Sequence, residues 1–270
     1  MLQEVKNQLR VTIKTIKYGL MREMINKTSF ILNIVFMILN NKNGVEFYTF
    51  KSFDDTDMVR HMFSTRIGGV SEGCFESLNL SFGRGDDPEK AMENFRRAAK
   101  AIGGDISDIV MARQIHETEI RLTGAYDKGR GVTRDRYPGG YDGLMTNERG
   151  VMLVTLHADC VPLYFLDTKN RAIALSHAGW RGTVNGMALK TLEKMKAAFG
   201  TEPKNLLVGI GPAISYCCFE AGSEVKAEFL EKLTFSAEYI RPSENEGKCY
   251  IDLKAVNRRI LLDAGVAESS

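Results

Sequence analysis

The chain has 270 residues, of which 44% are hydrophobic and 26% charged, a composition typical of a globular protein with a large core. Its formal net charge of +2 is close to neutral and indicates no electrostatic attraction to nucleic acid. The five cysteines are odd in number and irregularly spaced, which argues against a disulfide framework and favours the reducing cytoplasm.

The first 43 residues differ in composition from the rest. Residues 1–27 are basic, and Phe30–Leu39 is an apolar run interrupted by Asn33. This run is too short to span a bilayer, and no small-residue cleavage site follows it, so we expect neither a membrane anchor nor a secretion signal. The sequence predicts an appended leader over residues 1–43 and a single domain over residues 44–270.

From Gly44 onwards, β-branched and aromatic runs alternate irregularly with stretches of helical period. The pattern predicts strands at Val45–Phe50, His61–Thr65, Ile109–Ala112, Val151–Leu156, Ala172–Ser176 and Leu206–Ile210, and a strand followed by a turn over Ser77–Gly85. It predicts helices at Pro88–Ala101, Thr183–Phe199, Ser223–Leu233 and Asp252–Ala264. The segment Gly124–Gly140 is predicted to be a long exposed loop and is a candidate active-site lid. This irregular order favours the α+β class, with a mixed sheet or sandwich flanked by helices.

Three residues that can bind metal lie close to the ends of predicted strands. Cys160 lies just beyond one apolar run, His177 follows the next, and Pro162 is interpreted as a break between the two. His116 follows a third strand, and two imidazoles with one thiolate suit a soft or borderline metal ion. Three protein ligands leave a fourth position open, which is typical of catalytic rather than structural zinc.

Other interpretations of these residues remain open. A single histidine is commonly a hydrogen-bonded polar group, and a buried cysteine commonly acts as a small apolar side chain. The adjacent Cys217 and Cys218 are expected to point apart, to form a poor chelate and to be core or loop residues. Two histidines and a cysteine also form a blue-copper set, but only His61 and His157 would remain, too few for a further copper cluster. Copper is therefore expected less than zinc, and His157 is expected to lie outside the ligand set.

Several polar residues near these segments are candidates for chemistry. Asp159 is a candidate general base or an orienting partner for a histidine, or a turn former. Arg66 and Arg181 lie in glycine-flanked turns and suit a phosphate or carboxylate group. Ser77 and Asn79 could bind a sugar or base or could cap a turn. No GxGxxG, GxxxxGK[ST] or GxSxG motif is present, which excludes a Rossmann site, a P-loop and a hydrolase nucleophile elbow.

A set of short motifs occurs in a fixed order along the chain. They are FSTRIGGVS at 63–71, SLNL at 77–80, GDDP at 85–88, QIH at 114–116, ADCVP at 158–162, HAGWRG at 177–182, GIGP at 209–212 and NRR at 257–259. Together they resemble the YfiH-like family, which is named polyphenol oxidoreductase or laccase and is also described as purine nucleoside phosphorylase-like. The resemblance covers roughly residues 44–266.

The resemblance implies a single domain built as a mixed β-sandwich between helices, in the layer order α/β/β/α. It implies zinc bound by His116, Cys160 and His177. It further implies phosphorolysis of adenosine, inosine and methylthioadenosine, together with deamination of adenosine. The alternative is a zinc-dependent amide hydrolase acting on misincorporated peptidoglycan precursors, and a third reading is a fold that zinc only stabilises.

Within this lead interpretation the polar residues named above receive roles of their own. We expect Asp159, Arg66 and Arg181 to be catalytic, and the list of expected substrate-binding residues is Ser77, Asn79 and Gln114. The expected partners are purine nucleosides and phosphate, without nucleic acid or membrane, and the oligomeric state is not predicted. Two departures stand out: the run Tyr216–Glu220 differs from the family's Tyr-Glu-Val, and the chain stops at Ser270 where relatives continue, so we expect a truncated C-terminus.

Overall fold

The computed structural model describes residues 37–268, of which residues 38–268 belong to one compact unit. The predicted leader lies outside the described residues as far as residue 36. Its last residues, Met37–Lys42, form a strand beside Val45–Phe50, and the two residues between them, Asn43 and Gly44, both have positive φ. Because Asn-Gly is the preferred pair for a two-residue hairpin turn, the boundary expected at Gly44 falls inside a hairpin.

The described elements are thirteen strands and six α-helices. The strands are β1 (Met37–Lys42), β2 (Val45–Phe50), β3 (Phe63–Ser64), β4 (Ile109–Met111), β5 (Ile120–Leu122), β6 (Gly143–Thr146), β7 (Met152–Val154), β8 (Val161–Asp167), β9 (Ala172–Ala178), β10 (Leu206–Ile210), β11 (Glu220–Gly222), β12 (Ile240–Pro242) and β13 (Lys248–Ile251). The helices are α1 (Lys51–Asp54), α2 (Pro88–Ala101), α3 (Trp180–Val184), α4 (Met187–Phe199), α5 (Ser223–Lys232) and α6 (Leu253–Asp263). None of the helices over residues 37–268 is long and apolar enough to cross a membrane.

The largest sheet has five strands in the order β10-β8-β9-β6-β5. All its pairs are antiparallel except β5 with β6. Its second strand, β8, contains Pro162, so the interpretation of Pro162 as a break between two strands is wrong. Pro162 is the second residue of the strand, a position near the strand start where the missing N–H is tolerated, and its carbonyl still accepts a hydrogen bond from Gly211 N at 3.0 Å.

The two faces of this sheet are covered differently. On one face, Leu163 and Phe165 of β8 share a core with Leu192 and Met195 of α4. On the other face, Leu144 of β6 packs against residues of the parallel β4–β7 pair. The outer side of that pair is covered by α2. The helix, sheet, sheet, helix order expected for a mixed α/β single domain is therefore confirmed.

A third sheet extends the first core. It has the order β11-β13-β12, and its buried residues Cys249 and Ile251 pack together with Phe229 of α5 and Val256 of α6. Burying side chains of this size contributes roughly 1.5–3 kcal/mol each. Removal of Phe229 would therefore leave a cavity between this sheet and its helices and cost roughly 3–5 kcal/mol.

Local sequence features explain where the element predictions succeed. Helix α2 spans Pro88–Ala101 as predicted, and the Asp87 carboxylate accepts a hydrogen bond from Glu89 N at 2.9 Å, which caps the helix. The predicted helix Thr183–Phe199 is divided instead into α3 and α4, because Gly186 between them has a φ of 76°.

One predicted strand and one predicted loop differ from the structure. Over Ser77–Gly85 the predicted strand is absent and the chain only turns, because the side chain of Asn79 bonds to the backbone of Ser81. The segment Gly124–Gly140 is not a fully exposed loop, because Asp127 and Tyr137 within it are buried.

Candidate functional site

The structure brings the three predicted metal donors together. The ligand atoms of His116, Cys160 and His177 all lie within 4.8 Å of one another. The hairpin β8–β9 accounts for one pair, because Val161 pairs with Ala178 and this places Cys160 beside the end of β9. The ring of His116 meets that of His177 nearly at right angles, with centroids 4.9 Å apart.

A buried carboxylate, which the sequence interpretation missed, holds two of the donors. Asp142 has 0% exposure and lies immediately before β6. Its oxygens accept hydrogen bonds from the backbone nitrogens of Ile115, His116 and Glu117 at 3.2, 3.0 and 2.9 Å. The Asp142 Oδ1 atom also lies 3.0 Å from His177 Nδ1. One carboxylate therefore binds both the loop of His116 and the ring of His177.

The backbone of the His116 loop has an unusual conformation that this carboxylate stabilises. His116 has a φ of 62°, in the left-handed region that costs an L-residue roughly 1–2 kcal/mol. The turn points successive N–H groups inward, and such a concave row of donors binds an anion. Burial would raise the pKa of Asp142, but the hydrogen bonds from His177 and from the loop outweigh it and lower that pKa below its usual value.

The donor set fits a borderline metal ion. With His177 Nδ1 bonded to Asp142, the Nε2 atom is the one left for a metal, an arrangement common to histidine ligands. Gly179 keeps the space open, because a Cβ there would lie 3.0 Å from Cys160 Sγ and 3.4 Å from His116 Cδ2. Burial opposes the charged ring, yet hydrogen bonds to Asp142 and Cys160 raise the pKa of His177 to about 9. A metal ion must displace this proton, since only the neutral ring is a ligand.

His157 lies next to the cluster without joining it. Its ring is 5.2 Å from that of His177. Its Nδ1 lies 3.1 Å from Cys160 O and its Nε2 lies 2.8 Å from Thr155 Oγ1, so both nitrogens have protein partners. Burial, with a smaller contribution from nearby His177, lowers the pKa of His157 to about 3.

The three donors line a large cleft that also collects cationic side chains. Its volume is about 1120 Å³, and its walls include the five arginines Arg60, Arg66, Arg84, Arg113 and Arg136. Among the predicted site residues, the wall includes Arg66, Asn79, Gln114, Asp159, His116, Cys160 and His177. Ser77 and Arg181 do not line this cleft. The guanidinium of Arg181 instead lies 4.3 Å from the ring centre of Trp180.

The polar atoms of Ser77 and Asn79 are engaged within the protein. Ser77 Oγ donates to Arg66 O at 2.7 Å and accepts from the nitrogens of Gly68 and Gly69 at 3.2 Å each. The amide nitrogen of Asn79 donates to Asp86 Oδ2 at 2.8 Å. Both side chains therefore shape the turn that carries Arg66.

Of the other predicted residues, Gln114 is hydrogen-bonded within the protein, whereas Asp159 and Arg66 have exposed side chains. Gln114 forms a double hydrogen bond with the backbone of Leu156, at 2.7 and 2.8 Å, which joins the His116 segment to the Cys160 segment. The Asp159 side chain is exposed, and no hydrogen bond or ion pair joins its carboxylate to another residue of the range 37–268. Arg66 is exposed too, and its guanidinium donates to Glu76 O, with Nε at 2.8 Å.

The fold and this site define the class of protein: a single-domain α/β protein with a candidate histidine–cysteine–histidine metal centre in an arginine-lined cleft. A family model described as "Multi-copper polyphenol oxidoreductase laccase" matches residues 60–270. The chain therefore belongs to this family, which is the YfiH-like family that its motifs resemble.

Two relatives and one solved structure show the extent of the similarity. The purine nucleoside phosphorylase of Bacteroides thetaiotaomicron is 37% identical over 219 residues, which cover 80% of this chain and 81% of the relative. The adenosine deaminase RL5 of an unknown prokaryotic organism is 34% identical over 209 residues, 76% of this chain and 78% of the relative. The Bacillus licheniformis hypothetical protein YfiH has a TM-score of 0.77 and 29% identity, with 85% of both chains covered.

Proposed function

We propose that this chain is a zinc-dependent purine nucleoside phosphorylase that acts on adenosine, inosine and methylthioadenosine and also deaminates adenosine. The observation that carries the proposal is the His116, Cys160 and His177 cluster in the wall of an arginine-lined cleft. The names of the two relatives supply the substrate class, since they denote a phosphorylase and a deaminase of purine nucleosides. A cytoplasmic location accords with the reducing environment that the cluster's thiolate needs.

The donor set determines which chemistry a metal could add. His116, Cys160 and His177 would hold the metal, and a zinc ion there would supply Lewis-acid chemistry that activates water. The chain's own residues make that geometry possible before any substrate arrives. Asp142 fixes the ring of His177, and Gln114 joins the two segments that carry His116 and Cys160.

The remaining residues of the cleft suit a nucleoside and a phosphate. The cleft volume of about 1120 Å³ slightly exceeds the roughly 300–1,000 Å³ of ordinary small-molecule sites, which leaves room for two substrates together. Phosphorolysis needs cations for the attacking phosphate, and guanidinium groups are the side chains that bind phosphate through two parallel hydrogen bonds. Arg66 is our candidate for this contact, with the other four wall arginines in support, whereas Arg181 would need to leave Trp180 to take part.

A proton must reach the purine when its glycosidic bond breaks. Phosphate oxygen forms a bond to the ribose C1′ atom, the C1′–N9 bond breaks, and the leaving purine takes up a proton. Asp159 is our candidate for moving it, because its carboxylate is exposed in the wall of the cleft and one residue away from Cys160. Its lack of a protein hydrogen bond within the described range leaves it available to substrate or water.

Incubation with adenosine, with and without inorganic phosphate, tests the proposal. We expect adenine, ribose 1-phosphate and hypoxanthine (from inosine) only with phosphate, and deamination of adenosine to inosine in both incubations. Cys160→Ala should abolish all products, whereas Cys74→Ala, a change of an exposed cysteine outside the cluster, should not. Inosine alone would reduce the proposal to deamination. No turnover would contradict it and would favour the amide hydrolase, which needs activated water but no phosphate.

The metal itself needs a separate measurement. We expect elemental analysis of the purified protein to give one zinc ion per chain, lost together with activity in Cys160→Ala. Several copper ions per chain would instead support the oxidoreductase chemistry in the family's description. Unfolding upon zinc removal, with no turnover before removal, would indicate a metal that only stabilises the fold.

A further inference from the structure

The adjacent cysteines Cys217 and Cys218 lie in a turn that brings their sulfur atoms together. The two Sγ atoms are 3.1 Å apart, and both side chains are exposed. Neighbouring residues of an extended chain point to opposite sides, which is why the sequence predicted that these two diverge. That prediction is wrong, because the segment between β10 and β11 is not extended here.

Backbone hydrogen bonds hold the turn. Ser215 O accepts from the nitrogens of Cys218 and Phe219 at 2.8 and 3.0 Å, and Cys218 O accepts from Glu220 N at 3.0 Å. The chain therefore reverses direction across the two cysteines. The close approach of the thiols is a consequence of this folded turn and not of their adjacency in sequence alone.

The turn lies beside the metal-binding segment but outside the candidate site. Ile214 N donates to Asp159 O at 2.9 Å and Gly211 N donates to Pro162 O at 3.0 Å, on the two sides of Cys160. Neither Cys217 nor Cys218 belongs to the metal-donor cluster or lines the cleft. Chemistry at these two thiols therefore consumes no proposed metal ligand.

We propose that Cys217 and Cys218 form a vicinal dithiol that low-molecular-weight disulfides oxidise to an intramolecular disulfide. One thiolate attacks a sulfur of the small disulfide, forms a mixed disulfide and releases one small thiolate. The neighbouring thiolate then attacks the protein sulfur of that mixed disulfide and releases the second. In total the two protein thiols lose two electrons and two protons, and one small disulfide becomes two small thiols.

The geometry favours the second step over a lasting adduct. A nucleophile held within contact distance of its target reacts as if at a very high concentration. An exposed thiol without a neighbouring cysteine, such as that of Cys74, has no second thiolate to attack its mixed disulfide. It should therefore remain joined to the small thiol. Formation of the intramolecular disulfide therefore distinguishes this pair of cysteines from a single exposed cysteine.

The probe is 5,5′-dithiobis(2-nitrobenzoate), added to the native, metal-containing protein before non-reducing trypsin digestion and mass spectrometry. Trypsin releases residues 205–226, in which the only cysteines are Cys217 and Cys218, and residues 67–84, in which Cys74 is the only one. We expect peptide 205–226 to lose two hydrogen atoms and carry no adduct, while peptide 67–84 carries one. An adduct retained on peptide 205–226 would overturn the proposal.

Two controls separate the fold from the sequence. Cys217→Ser and Cys218→Ser, both exposed and mild changes, should each leave a stable adduct on peptide 205–226. Protein unfolded in urea should retain adducts on both cysteines, because the turn that aligns the sulfurs is lost. Closure to the same extent in the unfolded chain would contradict the role of the turn. Oxidised glutathione should reproduce the loss of two hydrogens in the folded protein, and dithiothreitol should reverse it.

Discussion

Two buried polar side chains, Asp142 and Asn94, organise different walls of the same cleft. Asp142, at the start of β6, binds the His116 loop and the His177 ring. Asn94, on α2, donates from Nδ2 to Ser71 Oγ at 2.8 Å and to the backbone oxygens of Ser77 and Asn79 at 3.2 and 2.9 Å. Its Oδ1 accepts from Val70 N at 2.8 Å. Both residues have 0% exposure.

The difference between them lies in charge and in what each one positions. A carboxylate accepts only, so it suits a loop whose N–H groups converge and a ring that must present its other nitrogen to a metal. An amide both donates and accepts, so it suits a turn that offers carbonyls and an N–H together. The candidate metal site is thus held by a charged group beside the central sheet, and the arginine wall by a neutral group of a covering helix.

The largest expected effect comes from replacing Asp142, the first of these two buried side chains. Asp142→Asn removes the charge and turns an N–H₂ group toward backbone donors, so we expect metal affinity to fall about 10- to 100-fold. We expect the free energy of unfolding to fall by about 3 kcal/mol, because buried charged hydrogen bonds are lost. Chelator competition and urea denaturation measure the two quantities.

Asp167→Asn is the matched control for this change. Asp167 is also buried and accepts from the nitrogens of Lys169 and Asn170, at 3.0 and 2.9 Å, in a turn away from the cluster. It should lower stability and leave metal affinity unchanged. Equal loss of affinity in both variants would show that the effect of Asp142 is general destabilisation.

Replacing Asn94, the second of these side chains, should weaken substrate binding and leave the metal content unchanged. Asn94→Leu removes the partner that Val70 N and Asn79 O have in Asn94, and it leaves Ser77 O with only the hydrogen bond from Ser71 N, so we expect a stability loss of about 2–3 kcal/mol. Since the Arg66 turn loosens, the KM for phosphate should rise while the zinc content stays at the wild-type value. Asn257→Leu, another buried asparagine, on α6, is the control that should lower stability without raising this KM. A loss of zinc in Asn94→Leu would contradict the assignment of Asp142 and Asn94 to different walls of the cleft.

A third buried polar residue, His61, sharpens the comparison because it can titrate. Its Nε2 accepts from Phe50 N at 2.7 Å, and burial, opposed only weakly by Asp54, lowers the pKa of His61 from 6.5 to about 4. The unfolded chain therefore binds a proton more readily, and the stabilising effect of neutral His61 is present above pH 6.5. As the pH falls from 6.5 to 4, about 2–3 kcal/mol of the free energy of unfolding should be lost.

Urea denaturation of wild type and of His61→Gln across this pH range isolates the contribution of His61. The difference in unfolding free energy between the two proteins should shrink as the pH falls, because glutamine does not titrate. A constant difference from pH 7.5 to pH 4 would show that the imidazole does not lose its hydrogen bond on protonation.

The smallest effect concerns the two arginines predicted from glycine-flanked turns. Arg66→Met should raise the KM for phosphate about 10-fold, the effect of one charge-assisted hydrogen bond. Arg181→Met should change it much less, since Arg181 lies over Trp180 outside the cleft, and loss of that contact should cost about 0.5–1 kcal/mol of stability. Arg96→Met, at an exposed ion pair on α2, is the control for loss of charge alone. A larger effect for Arg181 than for Arg66 would reverse our assignment.

Much of the fold could be predicted where the evidence is local. The Asp-Pro start of α2 and the apolar runs of β2, β4 and β10 lie within single segments, so their patterns are readable. Strand β8 was missed because Pro162 is a strong local break, and only the pairing with β9 and β10 on either side shows the strand.

By itself, the sequence determined the family, the donor residues His116, Cys160 and His177, and the helix and strand character of most segments. Those features depend on residue type and on neighbours a few positions away. Only the tertiary structure decided that Asp142 connects two of the donors. The same holds for the hydrogen bonds of the Ser77 and Asn79 side chains within a turn, and for the close approach of the Cys217 and Cys218 sulfur atoms. The reason is physical: burial and hydrogen-bond partners depend on chain segments that approach in space, and a linear pattern carries no record of that approach.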